Sequence, residues 1–76
     1  MNYGQNLIIK DRKKKFIPNT RIRLVSMEKE PYARLKEGDK GTVQYVDDIG
    51  TVHIRWDSGI LLGAVLEDEI ELANKS

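Results

Sequence analysis

Residues 51–56, Thr51-Val52-His53-Ile54-Arg55-Trp56, alternate apolar and polar side chains and run directly into the turn residues Asp57-Ser58-Gly59. A two-residue period places Val52, Ile54 and Trp56 on one side of an extended strand and Thr51, His53 and Arg55 on the other. A helix would scatter the same residues around its circumference, so the pattern confines this stretch to a half-buried strand. With the chain's only tryptophan at its end, it reads as the central strand of a small β structure.

The rest of the chain repeats the signal in short pieces. Residues 20–25 alternate Ile22 and Leu24 against Arg21 and Arg23, and further strands are expected over 42–46, 60–62 and 69–72. Turns fall between them: Gly38-Asp39-Lys40-Gly41, whose glycines permit positive φ at either end, then Asp47-Asp48-Ile49-Gly50 and Asp57-Ser58-Gly59. Gly63 is expected to bend or end the fourth strand, and a short 3₁₀ turn to occupy 64–68. Residues 26–37 break the alternation with charges and Pro31, which suits a long surface loop anchored by Met27, Tyr32 and Leu35.

Five short strands in 76 residues predict a mainly all-β fold, a small five-stranded antiparallel SH3-like barrel. Its limits are a basic N-terminal arm over 1–17, the barrel over 18–73 and a tail over 74–76. The competing architecture is an open five-stranded sheet packed by an N-terminal helix. Closure is preferred because so small a domain has few other ways to cover its sheet edges.

Pro18 cannot donate to a ladder and biases Ile17 toward an extended backbone, which sets the start of the domain. Ahead of it, Leu7-Ile8-Ile9 suits an extra edge strand, a short helix or a segment awaiting a partner, and the run Arg12-Lys13-Lys14-Lys15 is expected to stay solvated. Residues 1–36 hold ten Lys or Arg against three acids, and residues 37–76 hold three against nine. If folding keeps these halves apart, one face is suited to polyanions or acidic proteins. The absence of cysteine excludes disulfides, thiolate catalysis and cysteine-based zinc sites. No run approaches the roughly 20 apolar residues of a membrane span, and the first residues lack a secretory signal, so a cytoplasmic protein is expected.

The run Pro18-Asn19-Thr20-Arg21-Ile22-Arg23-Leu24-Val25-Ser26-Met27, followed by Gly38-x-x-Gly41-Thr42-Val43, Val46-Asp47-Asp48-Ile49-Gly50 and Trp56-Asp57-Ser58-Gly59, resembles the bacterial and phage family catalogued as domain of unknown function 4314. The resemblance covers about residues 17–72 and leaves the basic arm outside. It implies an SH3-like barrel and occurrence in bacteria, phages and mobile elements, with no catalytic residues to carry over. Ser58 stands where asparagine is commoner before the glycine, which leaves the turn intact.

Each chemically suggestive group has a plain structural explanation beside it. Trp56 shares the phase of Val52 and Ile54 and so belongs to the core rather than to a recognition platform. Asp47, Asp48 and Asp57 could approach one end of the barrel as cation ligands, but turn chemistry accounts for them without the spacing of a calcium loop. His53 lacks a visible nucleophile or carboxylate to work with, so no enzyme activity, cofactor or metal is expected. Arg21, Arg23, His53 and Arg55 would form a basic stripe if their faces adjoin, extended by Arg12, Lys13, Lys14 and Lys15. Pro31, Tyr32 and Arg34 offer contacts on the long loop. The expected function is a non-catalytic module mediating protein–protein interaction. The alternative is a nucleic-acid-binding accessory protein that uses the arm and the stripe. A monomer or small homo-oligomer is expected, the latter if Leu7-Ile8-Ile9 pairs with a neighbouring barrel.

Overall fold

A computed structural model of the chain describes residues 3–27 and 35–73. The proposed loop contacts Pro31, Tyr32 and Arg34 lie outside the described residues. A helix α1 (Tyr3–Lys15) is followed by strands β1 (Arg21–Ser26), β2 (Lys40–Val46), β3 (Val52–Trp56), β4 (Leu61–Ala64) and β5 (Glu69–Leu72). The strands form one antiparallel sheet in the order β4-β3-β2-β1-β5. The fold is mostly β, as the alternation requires.

The sheet is not closed into a barrel. Closure would need β4 and β5 to pair, and instead they are its two edges. Helix α1 bridges them. Ile9, Arg12 and Phe16 lie three and four residues apart and therefore share one helical face, which is buried. Phe16 joins the apolar core, while Arg12 donates to the carbonyl oxygens of Gly50 (2.8 Å), Ala64 (3.1 Å) and Asp68 (2.9 Å). Ala64 ends β4 and Asp68 immediately precedes β5, so one guanidinium fork ties the two edges together where hydrogen bonds between strands would otherwise be needed.

This corrects the reading of Arg12-Lys13-Lys14-Lys15 as a solvated run. Arg12 is 9% exposed, and burial pushes its pKa below the ordinary value against the opposing pull of Asp68 and Glu67. The other three are exposed on the last turn of α1, where cations face the unpaired carbonyls of a helix C-terminus. Leu7-Ile8-Ile9 takes the helical option: Ile9 is buried, and Leu7 and Ile8 remain about half exposed. The helix stops at Lys15 because Ile17 precedes Pro18, and Asn19 turns the chain into β1 with a left-handed φ of 74°.

The core is the inner face of the sheet: Ile22, Leu24, Val43, Val52, Ile54, Trp56 and Ala64, closed over by Phe16. Met27 and Leu35 pack against it from the two ends of the long connection. Trp56 is 1% exposed, and its indole N–H donates to the Leu62 carbonyl at 3.0 Å, which satisfies the ring's polar end. Gly38 takes the expected left-handed conformation (φ 94°), but Gly41 does not. Gly41 is a strand residue whose missing side chain is a packing requirement, since a Cβ there would lie 2.6 Å from Ile54 Cγ2 and 3.0 Å from the Arg55 carbonyl. Gly63 likewise sits inside β4 rather than ending it. Among the described residues no helix is long and apolar enough to cross a membrane.

Candidate functional site

The outer face of the sheet carries the polar members of each alternation. Register places Arg21 opposite Thr42 and Thr42 opposite Arg55, so the two arginines adjoin across one intervening strand as the stripe reading requires. The charges are largely neutralised, however. Arg21 forms a two-pronged pair with Asp57 (2.7 and 2.6 Å) and also donates to Thr42. The hydrogen bond from Arg21 holds the Asp57 carboxyl below its ordinary range, and the same bond raises the arginine. Arg23 is paired with Glu71 on β5 at 2.7 Å. On the helix, Lys13 reaches Asp48 at 2.8 Å, and Lys15 lies over the Phe16 ring. Helix α1 covers the core side of the sheet through Phe16, whereas Arg21 and Arg23 alternate away from the core, so the helical cations do not prolong the strand stripe.

Asp47 organises the hairpin between β2 and β3. One carboxylate oxygen accepts the backbone N–H groups of Ile49 (3.1 Å) and Thr51 (2.9 Å), and the other lies 2.8 Å from His53 Nε2. These bonds, that to His53 foremost, hold the Asp47 carboxyl below its usual value. Asp47, Asp48 and Asp57 are thus each engaged by a protein donor, as turn and ion-pair chemistry requires. Among the described residues no group of three metal-ligating side chains converges.

His53 also stacks on Tyr45, with ring centroids 4.4 Å apart and planes 11° from parallel. The pairing results from a β-bulge between Val43 and Tyr45, which places Tyr45 opposite His53 instead of continuing the register. Beside the stacked rings an open groove of about 430 Å³ runs over β2, β3 and β4, lined by Gln44, Tyr45, His53, Arg55, Leu61 and Gly63 among others. Its floor is closely packed at Gly63, where a Cβ would lie 2.6 Å from Thr51 Cγ2 and 3.9 Å from His53 Nδ1. Leu61 is 70% exposed on its rim. Arg55 is exposed and, unlike Arg21, Arg23 and His53, has no acidic partner among the described residues.

Two of the sequence-chosen residues, His53 and Arg55, therefore meet in one groove. Arg21 and Arg23 share the face but are spent on ion pairs, and Arg12 is a buried tie within the fold. The exposed Leu61 was not singled out. The apolar run Ile60-Leu61-Leu62 signals a strand without saying which member faces solvent.

The family described as "Domain of unknown function (DUF4314)" matches residues 5–73, and the chain belongs to it. The match extends through most of α1, so the basic segment taken to lie outside the resemblance is inside it. No curated protein and no solved structure matched the chain.

Proposed function

We propose that this member of the DUF4314 family is a non-catalytic module that binds another protein through the groove over β2, β3 and β4. The observation that carries the reading is the combination of an exposed apolar side chain, a stacked aromatic pair and an arginine with no acidic partner among the described residues, all around one open groove. Recognition sites commonly combine apolar area with a few oriented polar groups in this way. The lack of a hydroxyl nucleophile hydrogen-bonded to the His53 ring among the described residues supports a binding role over a catalytic one. The neutralised Arg21 and Arg23 favour protein over nucleic acid, since paired cations release few counterions. The setting proposed with this reading is the cytoplasm of a bacterium, native or phage-infected, in keeping with the family resemblance.

The test is site-specific photocrosslinking in cells that encode the protein, with the reactive group at Leu61 and, as control, at Glu67. A discrete protein adduct from position 61 alone supports the reading. Nuclease-sensitive adducts from position 61, or identical adducts from both positions, overturn it.

A further inference from the structure

The groove borders a sheet edge, and the chemistry on both sides of that edge specifies an occupant. The pairs Trp56–Ile60, Ile54–Leu62 and Val52–Ala64 follow one another across β3 and β4, and the Trp56 N–H bond to the Ile60 carbonyl (2.9 Å) identifies this series as the hydrogen-bonded one. The intervening residues Leu61 and Gly63 therefore direct their backbone N–H and C=O groups away from β3, to the open side of β4. Edge groups of this kind accept an additional strand. Leu61 and Gly63 are also the β4 residues whose positions face the groove, opposite Arg55 and His53 respectively. An added strand would thus bring every second side chain to the groove, at the two-residue period of about 6.6 Å.

The polar groups waiting there select for charge. Arg55 presents five N–H donors and has no acidic partner among the described residues. Asp47 can only accept, so His53 Nε2 must carry the proton between them, which leaves Nδ1, on the Gly63 side of the ring, as an acceptor in the neutral ring and as a donor in the charged one. A carboxylate entering the groove beside Leu61, the residue opposite Arg55, would meet the guanidinium in either state of the ring. Leu61, 70% exposed, offers apolar area to the flanking side chains.

We propose that the partner engages as an extended acidic segment added to the edge of β4, with a carboxylate on Arg55 and apolar side chains against Leu61. This rests on the protein-binding reading above and names the chemistry of its partner.

The test uses the full chain, labelled with ¹⁵N, and three blocked pentapeptides whose first, third and fifth side chains share the groove face: Val-Thr-Glu-Thr-Val, Val-Thr-Gln-Thr-Val and Val-Thr-Lys-Thr-Val. A decathymidylate strand is the fourth probe. The acidic peptide should shift the amide signals of Leu61 and Gly63 and the side-chain signal of Arg55. The neutral peptide should bind roughly tenfold more weakly, as loss of one charge-assisted contact implies, and the basic one not measurably. Arg55→Gln should remove the preference for acid, and Arg55→Glu should transfer it to the lysine peptide, while Arg23→Gln should leave it unchanged. Arg55 is exposed, so neither of its variants threatens the fold. Equal binding of all three peptides at the β4 edge overturns the acidic assignment and spares the protein-binding reading. Shifts produced only by the oligonucleotide, or concentration-dependent shifts of Leu61 and Gly63 in the chain alone, overturn both.

Discussion

Replacing Arg12 with methionine keeps most of the side-chain stem and removes the fork that joins the two sheet edges. Three carbonyls lose a donor at 2.8, 3.1 and 2.9 Å, those of Gly50, Ala64 and Asp68. Ala64 also belongs to the hydrogen-bonded register with Val52, so its oxygen keeps a ladder partner, and the main loss falls on Gly50 and Asp68. Hydrogen bonds to a charged group contribute about 1.5–3 kcal/mol each, which sets the loss from those two at about 3–6 kcal/mol. Releasing the guanidinium from its desolvated site offsets part of this, and about 3 kcal/mol remains as the expected net destabilisation. For a domain of this size each kcal/mol shifts Tm by about 4–8 °C, so R12M should melt about 12–24 °C below the wild type. Thermal and urea unfolding followed by circular dichroism would measure it. Lys13→Met is the control: its partner Asp48 is almost wholly exposed, and the pair should contribute less than about 1 kcal/mol. An R12M protein within about 0.5 kcal/mol of wild type would show that the guanidinium fork is dispensable and that the sheet edges are held by something else.

Trp56→Phe should cost about 2 kcal/mol, from unfilled core volume and the loss of the bond to the Leu62 carbonyl, read as a lower urea midpoint with unchanged slope. Gly41→Ala should destabilise by about 1–3 kcal/mol because its Cβ would meet Ile54 and the Arg55 carbonyl, and a neutral result would mean that β2 and β3 are less closely apposed than described. The Asp47 carboxyl, whose ordinary pKa is 3.8, is lowered by folding; its contribution to stability is therefore complete above about pH 4 and lost as the pH falls through the folded value. Urea midpoints between pH 6 and 2 should accordingly fall less steeply in Asp47→Ala than in the wild type.

Much of the fold was legible in the residues. Val52, Ile54 and Trp56 point inward together, β5 occupies residues 69–72, and Asp47 with Gly50 forms the expected turn, because each depends on neighbours two to four positions away. Tyr45 shows where the local rule stops. Continued alternation from Val43 would aim Tyr45 at the core, yet the bulge turns it outward, 52% exposed, onto His53. Arg12 shows the same for charge: four consecutive cations repel locally, but its three acceptors lie 38, 52 and 56 residues away. Closure of the barrel was likewise misjudged, since nothing near α1 in sequence marks it as the bridge between β4 and β5.

The order of apolar and polar residues determined by itself that this chain forms short antiparallel strands with the tryptophan inside, since side-chain direction along a strand is fixed by backbone stereochemistry. Which charges remain available to a partner was decided only by tertiary structure. Arg21, Arg23 and Arg55 have the same local environment of alternating strand neighbours. Register delivers Asp57 to the first and Glu71 to the second and leaves the third beside an open groove, because electrostatic pairing follows distance in space rather than along the chain.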